Sequence, residues 1–227
     1  MLYPHLHLLV SGGNTQLIYM KSWDDSEIIG ATLDDAAGEC FDKTGRMTGL
    51  PYPGGVYLSK IAGLKDDNIL DFPVSMKHSL DYNFSFSGLK TAVRYFLEKQ
   101  ILGNGKPFIL EKKLTPKEIE VLINQSLDEI EASGDEHLKI IKKVCISVQS
   151  AIVEALTHKV YRASQDKEVV SIGLSGGVSA NPLLRSKLEQ RFGDKMLLAP
   201  KPLTGDNAIM IGLAGILDWK HKSTSSA

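Results

Sequence analysis

The residues best placed to do chemistry lie in two glycine-bearing loops and on one acidic helix face. Ser11-Gly12-Gly13-Asn14-Thr15 ends the apolar run Leu6 to Val10, and Gly176-Gly177 follows Val169, Val170, Ile172 and Leu174 and leads to Asn181-Pro182. Glycine after a strand removes the Cβ that would hold a ligand away, so backbone amides can face phosphate or acyl oxygens. Asp35, Glu39 and Asp42 fall on the polar side of an amphipathic segment from Asp34 to Met47. Opposite a glycine loop such a carboxylate can accept hydrogen bonds from ribose hydroxyls, although by pattern alone it is a solvated helix face. Asp206, beside Gly205, reads as a helix cap or as a carboxylate ligand for a cation. Asn181 faces the same contest, as N-cap before Pro182 and as a polar group next to Gly177. None of the six histidines is spaced as HxxxH, and His5-x-His7 reads as the flank of a frayed strand. The chain holds no GxxxxGK[ST] or HExxH and no Cys/His nucleophile arrangement, which removes the P-loop, zinc-protease and cysteine-protease readings.

The elements that must position these residues follow from periodicity. Leu6 to Val10, Gln16 to Met20 and Glu27 to Thr32 predict an antiparallel meander, so the first glycine loop is a hairpin turn. Helices are predicted from Asp34 to Met47, from Ser87 to Lys99 after Phe84-Ser85-Phe86, and from the capping box Thr115-Pro116-Lys117-Glu118 to Ser133. A long helix from Glu136 to about Tyr161 precedes the second strand-glycine-helix loop, and Asn207 to Trp219 forms the last helix before a disordered Ser/Thr-rich tail. Three meander strands, then helices and two crossover strands, give an α/β layered domain. A hairpin loop near the start and a strand-glycine-helix loop near the end is the layout of an actin-like nucleotide-binding lobe.

With 227 residues, 43% of them hydrophobic, the chain can bury a sizeable core. A net charge of −1 gives no overall basic field, so nucleic acid would be met through a local patch or a partner. Cys40 and Cys145 lie far apart and outside any CxxC, which predicts core thiols in a reducing compartment. No run has the length of a membrane span, and the first residues lack the features of a signal peptide.

Five ordered blocks, LLVSGGNTQL at 8–17, DDAAGECFDKTGRMTGLPYPGG at 34–55, FSFSGLKTAVR at 84–94, GGVSAN at 176–181 and TGDNAIMIG at 204–212, resemble the TsaD family of tRNA threonylcarbamoyltransferases, bacterial or mitochondrial branch. The resemblance implies an α/β, actin-like (ASKHA, ribonuclease H-like) lobe with helical insertions. It also implies transfer of threonylcarbamoyl from its AMP anhydride to N6 of the adenosine 3′ of the anticodon in tRNAs reading ANN codons, with no protein nucleophile. On it, Leu9, Val10, Ser11, Gly12 and Gly13 match the phosphate- and acyl-side loop, and Asp42 and Gly55, with Ser59 as a weaker match, hold the adenosine and ribose. Asn181 matches a nucleotide contact, Gly205 lies beside the site, and Asp206 matches a ligand of one divalent metal, iron, zinc or magnesium. The nucleotide ligand is threonylcarbamoyl-AMP or ATP. The family's histidine pair, its other metal ligands, has no counterpart, so residues 1–217 resemble a C-terminal lobe, with a lineage-specific helical insertion at about 100–137 and a flexible tail at 218–227. The partners implied are tRNA, an adenine nucleotide, the N-terminal lobe and a second copy as homodimer, with no membrane. The implied location is mitochondrial, the alternative being bacterial cytoplasm. Competing readings are an actin-like ATP phosphotransferase and a non-catalytic nucleotide-binding subunit.

Overall fold

Period-two alternation puts Leu6, Leu8 and Val10 on one face of the first strand, and each is completely buried in the computed structural model. It describes residues 2–102, 105–205 and 208–224. Strands β1 (His5–Val10), β2 (Thr15–Met20) and β3 (Ser26–Ala31) form the expected antiparallel meander. Strands β4 (Ser171–Ser175) and β5 (Met196–Leu198) extend it in parallel on the other side of β1, giving the order β3-β2-β1-β4-β5. This mixed sheet, antiparallel at one side and parallel at the other, is the actin-like arrangement expected from the two loops.

Helices α1 (Ala37–Met47), α2 (Gly54–Ala62) and α3 (Ser87–Glu98) come next in the chain. They are followed by α4 (Pro116–Asn124), α5 (Leu127–Ser133) and α6 (Glu136–Asp166). The stripe Ile141, Val144, Cys145, Val148, Ile152 and Leu156 of α6 is fully buried, and this helix is the spine of the core. Helix α7 (Pro182–Phe192) joins β4 to β5, and α8 (Ala208–Thr224) ends the described chain. Among the described residues no helix is long and apolar enough to cross a membrane.

Several sequence expectations shift. The single helix expected from Thr115 to Ser133 is two, because Gln125 turns to an extended backbone and Ser126 opens its own capping box with Glu129. Leu122 and Ile130, one on each of these two helices, are fully buried. Helix α8 runs through residues 218–224, which were expected to be tail. Its apolar side chains Ile209, Ile211, Leu213 and Ile216 are each more than half exposed. Asp34 lies outside α1 and instead serves α3: its carboxylate accepts from the backbone amides of Phe86 at 2.8 Å and Ser87 at 3.2 Å, and from the hydroxyls of Ser85 at 2.6 Å and Ser87 at 2.7 Å. Phe84-Ser85-Phe86-Ser87 is thus an anchor, with both phenylalanines buried and Asp34 standing in for a missing N-cap.

Candidate functional site

The first glycine loop is held by its own serine. Ser11 Oγ accepts from the amides of Asn14 at 3.0 Å and Gly13 at 3.3 Å, and the Ser11 amide donates to the Asn14 carbonyl at 2.8 Å. Helix α1 is pinned against this loop: the Gly38 amide donates to the Ser11 carbonyl at 3.1 Å, and the Ala37 amide to Thr15 Oγ1 at 2.8 Å. A Cβ at Gly38 would lie 2.6 Å from the Ser11 carbonyl oxygen, so the approach requires glycine.

The second loop crosses the first. Gly176 has φ of 90°, and a Cβ there would stand 2.2 Å from the Val10 carbonyl oxygen. The backbone of β4 therefore leaves the sheet directly over the end of β1 and runs through a 3-10 turn, Gly177–Ala180, into α7. Asn181 Oδ1 accepts from the Leu184 amide at 2.9 Å, which confirms the cap. Its Nδ2 donates to Ser59 Oγ at 2.9 Å and to Gln149 Oε1 at 2.7 Å. The Asn181 amide thus ties α7 to α2 and α6 and is committed to protein partners.

Between these loops and the first turns of α1 and α2 lies a cleft of about 500 Å³. It brings together Gly12, Asp42, Gly55, Ser59, Gly177 and Asn181, which the chain holds up to 169 positions apart. Asp42 Oδ1 accepts from the Gly55 amide at 2.7 Å, at the N-terminus of α2, where the helix dipole favours a carboxylate. Among the described residues its other oxygen has no hydrogen-bond donor, and Asp42 stands in the cleft lining as an acceptor. Apolar walls with a few converging polar groups are what a nucleotide site of this size uses. Leu9, Val10, Ser11 and Gly13 do not line the cleft: Val10 is buried in the core, and Leu9 is half-buried on the opposite sheet face. Gly205 is exposed and away from the cleft lining, and Asp206 lies outside the described residues. A larger cavity of about 650 Å³ lies elsewhere, where Lys187 pairs with Asp66 at 2.6 Å and Lys77 with Glu154 at 3.3 Å.

The acidic face separates into unlike residues. Asp35 is not solvated: it pairs with Lys90 at 2.8 Å and Lys43 at 2.9 Å, and its side chain is 14% exposed. Burial alone would raise its pKa, yet hydrogen bonds from Lys90 and Lys43 hold it below the ordinary carboxylate value. Glu39 pairs with Lys43 at 2.7 Å, which leaves Asp42 as the member of the trio facing the cleft.

His5 and His7 are interior, not frayed. His5 Nδ1 bonds Ser171 Oγ at 2.7 Å, the rings meet at 3.3 Å between His5 Nε2 and His7 Nδ1, and His7 Nε2 bonds Ser175 Oγ at 2.7 Å. Burial pushes His5 down to about 4 and lowers His7 as well. With each ring nitrogen engaged, the pair does not fit a metal, and among the described residues no group of three or more His, Cys, Asp or Glu does. Cys40 and Cys145 are buried free thiols, pushed up to about 12 by burial, as core thiols should be. Gln149, Lys60 and Lys201 escaped the sequence reading: Gln149 lies within a helical stripe, and the two lysines carry no motif.

Residues 2–213 match the family described as TsaD, tRNA N6-adenosine threonylcarbamoyltransferase. Proteins of that name from Thermosipho africanus (strain TCF52B) and Bacillus subtilis (strain 168) are each 38% identical to it, over 99% and 96% of this chain respectively. One from Christiangramia forsetii is 36% identical over 97% of it. The chain spans 60%, 55% and 56% of the length of these three relatives. All three are bacterial, which argues against the mitochondrial expectation. The match over nearly the whole chain, laid on an actin-like sheet whose two glycine loops meet at one cleft, places this chain in the TsaD family.

Proposed function

We propose that this chain supplies the nucleotide-binding lobe of a tRNA N6-adenosine threonylcarbamoyltransferase. The observation that carries the reading is the cleft where both glycine loops and Asp42 converge. In it the adenosine of threonylcarbamoyl-AMP lies between α2 and the second loop, with Gly55 and Ser59 as one wall. The second oxygen of Asp42 accepts a ribose hydroxyl, while the amide of Gly12 faces the phosphate and acyl oxygens, where preorganised donors stabilise growing charge. Asn181 acts by holding α2 and α7 in register. The tRNA adenosine N6 attacks the carbamoyl carbon, a C–N bond forms, the C–O bond to phosphate breaks, AMP leaves, and the amine proton is released. No side chain need act as nucleophile.

A divalent metal, iron, zinc or magnesium, belongs to the proposal with Asp206 as one ligand, and it would supply Lewis acidity at the anhydride. The exposed apolar surface of α8 supports a companion lobe packing there, since a helix apolar on all sides is stable only when covered. The bacterial relatives favour a bacterial cytoplasm.

The test is transfer itself. Unmodified tRNA reading ANN codons is incubated with threonylcarbamoyl-AMP, this chain and the N-terminal lobe of a relative, then digested for mass spectrometry of the nucleosides. The reading expects threonylcarbamoyladenosine, strongly reduced by Asp42→Asn. Phosphoryl transfer from ATP without any modified nucleoside would favour the phosphotransferase alternative and overturn it.

A further inference from the structure

The mouth of the cleft carries an aromatic ring and two cations that the nucleotide reading does not use. Tyr52 is 88% exposed, the most exposed aromatic ring among the described residues, in the segment Pro51-Tyr52-Pro53. Prolines on either side restrict the backbone, so presenting this ring costs little ordering on binding. Tyr52 lines a shallow cavity of about 170 Å³ that shares Asp42 with the main cleft, so the two adjoin along the Pro53–Gly55 edge. On the cleft side of that edge stand Lys60 and Lys201, both exposed.

The nearby cations differ in how they are engaged. Arg46 pairs with Glu111 at 3.2 Å, and Lys43 is held by Asp35 and Glu39. Among the described residues neither Lys60 nor Lys201 has a carboxylate partner, and Lys60 Nζ sits 6.0 Å from the Tyr57 ring centre. Among the described residues the charged ones lining the main cleft are these two lysines and Asp42, whose Oδ1 is already bonded to Gly55. A protein of net charge −1 has no general attraction for polyanions, so a local basic rim beside a bare aromatic ring is where one could be received.

We propose that this rim receives unstacked RNA: Tyr52 stacks on a base flanking the acceptor adenosine, and Lys60 and Lys201 face the backbone phosphates. Such combinations of π-faces and cations bind single-stranded segments, because every base offers a stacking surface and every phosphate a charge. The inference rests on the tRNA acceptor of the proposed function.

The experiment measures binding of unmodified tRNA and, separately, of an adenine nucleotide to the parent protein and to Tyr52→Ala, Tyr52→Phe and Lys60→Gln/Lys201→Gln. Tyr52→Ala should weaken tRNA about tenfold, Tyr52→Phe should bind like the parent, and neither should change nucleotide affinity. The double lysine variant should lower the slope of log affinity against log salt by about 1.4, the release expected for two single-strand contacts. Unchanged tRNA affinity in Tyr52→Ala, in a parent that binds tRNA, overturns the rim and leaves the transferase reading standing. A double variant that loses nucleotide and tRNA equally overturns the assignment of the lysines to RNA. A parent that binds no tRNA defeats the acceptor reading itself, and the rim with it.

Discussion

Asp42 carries two separable duties, and Asp42→Asn should separate them from Asp42→Ala. One carboxylate oxygen accepts the Gly55 amide at 2.7 Å at the start of α2. A hydrogen bond to a charged acceptor contributes about 1.5 to 3 kcal/mol, and half-exposure brings the expected stability loss of Asp42→Ala to about 1 to 2 kcal/mol. Asparagine keeps an oxygen for Gly55 and should stay within about 0.5 kcal/mol of the parent. Its second group is a donor where the carboxylate offered an acceptor, so a ribose hydroxyl loses its partner in both variants. Adenine-nucleotide affinity should therefore fall by about 1 to 3 kcal/mol in Asp42→Asn as well as in Asp42→Ala. Asp35→Ala is the control, because its carboxylate is spent on Lys43 and Lys90. That change should lower stability by about 1 kcal/mol and leave affinity alone. Urea unfolding and calorimetric titration with an ATP analogue give the two readouts. Parent-like nucleotide affinity in Asp42→Asn would refute the ligand role, and parent-like stability in Asp42→Ala would refute the helix-start role.

Asn181→Ala leaves Gln149, Ser59 and the Leu184 amide without their partner, and urea denaturation should show a loss of about 2 to 4 kcal/mol. Asp34→Ala, scored by thermal melting, should cost about 1 to 2 kcal/mol through the start of α3 without altering nucleotide binding. His5 remains neutral in the folded protein down to about 4, whereas in the unfolded chain it takes a proton near 6.5. Its contribution is complete above 6.5 and is lost as pH falls through that window, by up to roughly 3 kcal/mol. Unfolding free energies at pH 7 and pH 5 should show the decline, and His5→Gln should flatten it.

The sheet and its loops were legible because their signals are local. Leu6, Leu8 and Val10 alternate, the serine-glycine turn follows at once, and Asn181-Pro182 announces a helix. What stayed hidden depends on distant partners. Asp35 looked solvated because Lys90 lies 55 residues away, and Asp34 gave no sign that it would start α3 across a similar distance. The Asn181 amide was open to ligand or cap until Gln149 and Ser59 were seen to claim it. His5 and His7 read as a frayed flank because period two says which residues share a face but not that Ser171 and Ser175 of a parallel neighbour will meet them. The break between α4 and α5 was visible in principle: Ser126 and Glu129 spell a second capping box inside an apolar period that otherwise runs on.

The central claim is that an adenine nucleotide occupies the cleft between the two glycine loops. A titration of isotopically labelled protein with threonylcarbamoyl-AMP, followed by amide chemical shifts, tests it residue by residue. The amides of Gly12, Gly38, Gly55 and Gly177 should move together with one saturating affinity, while those around Asp66 and Lys187 at the larger cavity stay still. Movement confined to the larger cavity, or no movement at the glycine loops at saturating nucleotide, would contradict it.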